Sequence, residues 1–91
     1  MGAISKNWFT YILQCSNSHY YCGVTNDLKK RVLHHNEGKG SKYVAAHLPA
    51  ELIWSKKMKS NSTAQVLECK IKKWSRSNKE KFMKGLIYKE L

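Results

Sequence analysis

Acidic side chains are scarce in this chain. Its 91 residues hold one aspartate and five glutamates, Asp27, Glu37, Glu51, Glu68, Glu80 and Glu90, and no two are spaced as joint metal ligands. A two-metal hydrolytic centre needs a cluster of carboxylates, so that chemistry is not expected. Cysteine is scarce too. Cys15, Cys22 and Cys69 cannot all pair and contain no C-x-x-C, which argues against a disulfide scaffold and a four-cysteine zinc site. The histidines His19, His34, His35 and His47 lack the H-x-x-x-H spacing of a metal site. Proline occurs once, at Pro49, and there is neither a Gly/Ser linker nor an internal repeat, so a single domain is expected. No apolar run nears the roughly 18 residues of a membrane span, and residues 1–6 lack the pattern of a signal peptide. A cytoplasmic protein with no membrane partner and no small-molecule cofactor is the expectation.

Hydrophobic residues make up 42% and charged residues 25%, a globular composition. A chain this short buries roughly 60–65% of its unfolded surface, which supports one modest core. A surface groove is therefore expected in place of an enclosed pocket. The charge is lopsided: 17 Lys+Arg against 6 Asp+Glu give a net +11. The excess gathers at the C-terminal end, where residues 56–91 hold eleven basic and three acidic side chains. Nucleic acid is the partner that rewards such an excess, because neutralising phosphates releases counterions. The alternative is a solvated lysine face.

Trp8 to Gln14 (WFTYILQ) and Tyr20 to Thr25 (YYCGVT), separated by the turn cluster Ser16-Asn17-Ser18, read as an antiparallel hairpin. Gly23 inside the second strand suggests a bulge or a close backbone approach. Thr25, Asn26 and Asp27 offer N-caps for a helix over Leu28 to Asn36, with Gly38 placed for a left-handed C-cap. Residues 37–50 read as a loop and Glu51 to Met58 as a third strand. Ser62-Thr63-Ala64-Gln65 reads as a capping box opening a helix whose inner face is Ala64, Leu67, Ile71 and Trp74. Ser77-Asn78-Lys79-Glu80 reads as a second capping box, starting a helix that buries Phe82, Met83 and Leu86. The expected fold is α+β: three antiparallel strands flanked by helices in the order β-β-α-β-α-α.

Each candidate site residue has a structural alternative. Glu68 borders the apolar stripe of its helix, and an i,i+4 salt bridge to Lys72 would account for it. Arg31 and His35 share a helix face and would otherwise be two solvated residues. Tyr11 and Tyr21 lie on the two hairpin strands and would otherwise be a cross-strand aromatic pair, with Tyr20 facing the other way. Gly38-Lys39-Gly40-Ser41-Lys42 lacks the spacing and following helix of a Walker A loop; a basic loop touching phosphates is the better reading. Cys22 reads as a small apolar filler.

In combination these residues resemble one family. Tyr11-Ile12-Leu13, Tyr21-Cys22-Gly23, Thr25 to Arg31 and His34-His35-Asn36 resemble the GIY-YIG nucleases. Gly38 to Tyr43, Leu48 to Leu52 and Ala64 to Arg76 are similar to its small stand-alone bacterial branch, related to the catalytic module of UvrC. The resemblance covers about residues 8–87. Phe9 and Thr10 stand in place of the name-giving Gly-Ile, Cys22 in place of an isoleucine and Val24 in place of a lysine; Asn78 is the one candidate for a late asparagine.

The resemblance implies metal-dependent hydrolysis of a DNA phosphodiester, structure-selective or single-strand-selective, in repair or processing. It implies a site of Tyr11, Tyr21, Arg31, His35 and Glu68, with Glu68 the ligand of one Mg²⁺ or Mn²⁺. Tyrosine, with a pKa near 10, becomes a useful base when nearby positive charge lowers that value, and Arg31 and the ion are the expected sources. Gly23, Lys30, Lys39, Lys42, Tyr43, Lys70 and Lys73 are the expected nucleic-acid contacts. A catalytically weak binding module on the same fold and an RNA-directed nuclease are the competing readings.

Overall fold

The computed structural model describes residues 7–84. Strands β1 (Trp8–Gln14), β2 (Tyr20–Thr25) and β3 (Glu51–Met58) form an antiparallel sheet in the order β2-β1-β3. Among the described residues no strand pairs with the outer side of β2 or β3. The helices are α1 (Leu28–Asn36), α2 (Lys42–Ala45), α3 (Asn61–Lys72) and α4 (Arg76–Met83).

Strand β1 is central and the sheet is covered on both faces, so its alternating side chains feed two clusters. Tyr11 and Leu13 pack with Cys15, Val44 and Ala50 under α1 and α2. Ile12 packs with Cys22, Leu67, Ile71 and Phe82 under α3 and α4. Full burial of an aliphatic side chain such as Ile12 or Ile71 contributes about 1.5–3 kcal/mol. Thr10, also fully buried, avoids an unsatisfied hydroxyl by donating to the Ala64 carbonyl at 2.8 Å. That bond ties α3 to the middle of the sheet one turn before Glu68.

The strand bounds and α1 agree with the sequence reading, and α1 begins at Asp27, whose carboxylate accepts from Lys30 N at 3.1 Å. Gly38 follows with φ +80°. Three details differ. The 37–50 segment contains the single turn α2, capped by the Ser41 hydroxyl, and Asn36 closes the segment by bonding both backbone groups of Ala50. Helix α3 is capped by Ser60, not Ser62: Thr63 is short enough to return the bond to Ser60 N, and Gln65 turns to Asn61. Helix α4 is capped by Ser75, not Ser77, because Glu80 is drawn to Tyr20 and Arg76. The element order is therefore β-β-α-α-β-α-α. Phe82 is buried and Met83 half-buried; Leu86 lies outside the described residues.

Candidate active site at the β2 edge

The site begins with a pairing register. Tyr11 faces Gly23 across β1 and β2, and the missing side chain leaves room for the tyrosine hydroxyl. A Cβ at Gly23 would lie 2.5 Å from Tyr11 Cζ. Helix α1 presents His35 from above, with Nε2 2.9 Å from Tyr11 Oη. Gly40 makes room for that imidazole in turn: a Cβ there would lie 2.7 Å from His35 Cε1. Tyr21, a diagonal neighbour of Tyr11, meets the His35 ring edge-on at 5.4 Å. His35 and Tyr11 are each 1% exposed, so this pair is a fixed part of the interior and neither member is a solvated surface residue.

Burial and charge set the protonation of the pair. Loss of water pushes the Tyr11 phenol up to about 12; the Arg31 guanidinium pulls the other way and loses. The expectation that Arg31 leaves Tyr11 with a lowered pKa is thus corrected. His35 is held below its ordinary value by burial first, then by Arg31 and His34. Around neutral pH both partners are uncharged, so the imidazole has one donor and one acceptor nitrogen. His35 Nδ1 and Arg31 Nε are buried and have no hydrogen-bond partner among the described residues. Arg31 also lines a cleft of about 330 Å³ with Lys30, His34, Asp27 and Val24.

Glu68 reaches the same strand from the opposite face. Its carboxylate pairs with Lys72 at 3.0 Å, so the i,i+4 bridge is present. Glu68, Lys72 and Lys79 all act electrostatically on Cys22, and Lys72 also feels Tyr21. Edge strand β2 thus carries Tyr21 and Gly23 toward the Tyr11–His35 pair and Cys22 toward Glu68 and Lys72. Cys22 is buried, as a filler should be.

The remaining expected contacts separate into two groups. Lys30 lines the Arg31 cleft, and Lys39, Lys42 and Tyr43 follow Gly38 on the segment that also carries Gly40. Lys70 and Lys73 lie elsewhere. They are on the far side of α3, where Lys70 lines an apolar groove with Met58, Val66 and Leu67. At about 100° per residue, Lys72 is the lysine of that run which shares the Glu68 side. Sequence reading gave Lys72 only as a salt-bridge partner and missed Gly40. The phase of the Ala64, Leu67 and Ile71 stripe was a signal that could have placed Lys72.

Among the described residues no three His, Cys, Asp or Glu side chains converge. A small hard cation commonly keeps several waters and takes one carboxylate plus substrate phosphate. Glu68, one-fifth exposed at the strand edge and reachable from solvent, fits that mode of binding.

The family model of the GIY-YIG catalytic domain matches residues 7–81. A UPF0213 protein of Vibrio cholerae is 38% identical over 87 residues, 94% of this chain and 86% of the relative. The UPF0213 protein YazA of Bacillus subtilis is 39% identical over 79 residues, 87% of this chain and 80% of the relative. Two solution NMR structures share the architecture. A UPF0213 protein from Bacillus halodurans is 34% identical with a TM-score of 0.55, over 84% of this chain and 81% of that one. A protein from E. faecalis is 31% identical with a TM-score of 0.63, over 89% and 86%.

Proposed function

The chain belongs to the GIY-YIG catalytic domain family, and on that premise we propose that it is an endonuclease hydrolysing DNA phosphodiester bonds with one divalent cation held by Glu68. The observation that carries this reading is the buried Tyr11–His35 hydrogen bond, set beside Arg31. A tyrosine with its pKa near 12 is no standing base at neutral pH. Bonded to a neutral imidazole, it serves as a relay. As water attacks phosphorus and the P–O3′ bond breaks, Tyr11 Oη takes a proton from the water and passes its own to His35 Nε2, while the departing 3′-oxygen takes a proton from solvent. The relay avoids a buried phenolate, and its cost is transient charge on His35 beside Arg31. Arg31 Nε, buried and with no hydrogen-bond partner among the described residues, is a donor for a non-bridging phosphate oxygen. Tyr21 holds the imidazole edge and orients the phosphate. When bound, Mg²⁺ or Mn²⁺ supplies positive charge at the leaving oxygen.

Lys30, Lys39 and Lys42 support strand binding on the α1 side. Structure-selective or single-strand-selective cutting in repair or processing is the finer form of the proposal. A second reading, a binding module with weak catalysis, rests on the Glu68–Lys72 pair, which holds the carboxylate against a lysine. One experiment separates them. Purified protein is incubated with labelled single-stranded, duplex, nicked and branched DNA and with RNA, each with Mg²⁺, Mn²⁺ or EDTA. Metal-dependent cleavage that Glu68→Gln abolishes while binding persists is expected. Binding without cleavage under every condition supports the module, and cleavage of RNA alone reassigns the substrate.

A further inference from the structure

A second cleft opens at the turn end of β2, lined by His19, Tyr20, Tyr43, Arg76 and Lys79, with a volume of about 330 Å³. Aromatic rings alternate there with cations, the combination that binds a nucleic-acid strand by stacking and charge. Its main aromatic face is held in place. The Tyr43 hydroxyl accepts from Asn17 Nδ2 at 3.1 Å and shares a second hydrogen bond with His19 Nδ1 at 2.8 Å. Its ring packs at 4.8 Å against His47 yet remains 40% exposed.

The surrounding turn is tied down on two sides. Ser16 N donates to the His47 carbonyl at 2.9 Å, and Arg76 Nη1 donates to the Ser18 carbonyl at 2.6 Å. Arg76 is further committed to Glu80 and to the Tyr20 ring, 4.3 Å away. Lys79 takes part in no ion pair among the described residues, which makes it the cation available to a ligand. A tyrosine fixed at its hydroxyl end loses little further freedom when a flat ring lands on it.

Two connections join this cleft to Tyr11. Strand β2 runs without a break from Gly23 under Tyr11, through Tyr21 against His35, to Tyr20; at about 3.3 Å per residue the distance to His19 is on the order of 13 Å, a few nucleotides of strand. The segment after α1 makes the second link, because Gly40 abuts His35 and Tyr43 lines the cleft three residues later.

We propose that this cleft is a nucleobase subsite. It takes one unpaired nucleotide of the substrate strand, with the base on the exposed face of Tyr43 and an adjoining phosphate on Lys79. Occupancy fixes which phosphodiester lies at Tyr11. A base held in a duplex stack cannot present its face to Tyr43, so the subsite selects locally unpaired strand. The inference rests on the nuclease reading for the meaning of the register, though not for binding itself.

The test uses the full chain carrying Glu68→Gln and a set of single-stranded DNA oligonucleotides of one sequence. Each has one abasic residue, moved stepwise along the strand. At one position, at a fixed offset from the bond the unmutated protein cuts, loss of the base should weaken binding roughly fivefold to a hundredfold. A 2-aminopurine placed there should be quenched. Adding Tyr43→Ala should cost a similar factor on the intact strand and flatten the scan; Tyr43→Trp should restore both signals. In the cutting protein, Tyr43→Ala should spread cleavage over neighbouring phosphates. A flat scan in a protein that still cuts overturns the subsite and leaves the nuclease reading. A position-specific scan in a protein that cuts nothing overturns the nuclease reading and leaves the subsite. The scan repeated on RNA tells whether the ribose is accepted.

Discussion

Gly23 lies beneath the hydroxyl of Tyr11, with no space between them for a methyl group. Gly23→Ala would force the tyrosine off its bond to His35, since a ring 1% exposed has nowhere to retreat. We expect a loss of about 1–3 kcal/mol in stability from overpacking, and a larger proportional loss of cleavage. Urea unfolding combined with single-turnover cleavage checks both. Wild-type cleavage in a folded Gly23→Ala protein would contradict the site as drawn.

Removing a hydroxyl separates chemistry from packing. Tyr11→Phe keeps the ring and should cost about 1–3 kcal/mol, because His35 Nε2 is left buried and unbonded. Its cleavage rate should fall roughly 10²–10⁴-fold. Tyr21→Phe should lose less, since Tyr21 meets His35 ring to ring and the substitution keeps that ring. Equal losses for the two variants under single-turnover conditions would count against the relay.

The histidine sets an acid limit. With the folded pKa of His35 below its unfolded value of about 6.5, the unfolded chain binds more protons between the two values. Stability contributed by the neutral ring is therefore fully present above about pH 6.5 and is lost as pH falls toward the folded pKa. Cleavage by the proposed relay, with neutral His35 as the acceptor, should hold to a lower pH than an ordinary histidine would allow. NMR titration of labelled histidine checks this. A His35 signal titrating above 6.5 would reverse the sign.

Lys72 holds the carboxylate of Glu68, the proposed metal ligand. Freeing the carboxylate with Lys72→Met should tighten Mn²⁺ binding by about two- to tenfold, the scale of a partly exposed ion pair plus one removed charge. The same variant should bind nucleic acid more weakly. Calorimetry with Mn²⁺ alone tests this without any substrate, and unchanged or weaker Mn²⁺ affinity would remove Glu68 as the ligand.

Position also sorts the lysines. Binding to duplex should weaken with salt at about −0.9 in log K per phosphate neutralised. Lys30→Gln, Lys39→Gln and Lys42→Gln should each flatten that slope by about one contact. Lys70→Gln and Lys73→Gln, on the far side of α3, should leave it unchanged. Filter binding across a salt series distinguishes the groups.

The strands were legible because WFTYILQ and YYCGVT are dense in aromatic and β-branched residues, and α1 because Asp27 and Gly38 bracket it. The ordered set Tyr11, Tyr21, Gly23, Arg31, His35 and Glu68 carried the family resemblance, which the family model supports. Helix α2 was not legible: at four residues it is too short to show a period. Both later caps start two residues early because neighbouring serines compete and tertiary partners decide between them. The raised pKa of Tyr11 was not legible for a related reason. Counting cations along the chain finds Arg31, but the stronger influence is the water lost when α1 and the sheet close over the ring.

The two borders of the sheet are protected from stray strands in different ways. Strand β3 carries Lys56 and Lys57, both exposed, so a second copy docking there would meet like charge directly. Strand β2 has no charged residue from Tyr20 to Thr25 and depends on the nearby Lys72 and Lys79 together with the net charge of +11. That repulsion acts over about 10 Å at 0.1 M salt and about 3 Å at 1 M. Dilute buffer keeps the particles dispersed, whereas concentrated salt, or a polyanion below saturation, exposes β2 as a template on which chains can zip together.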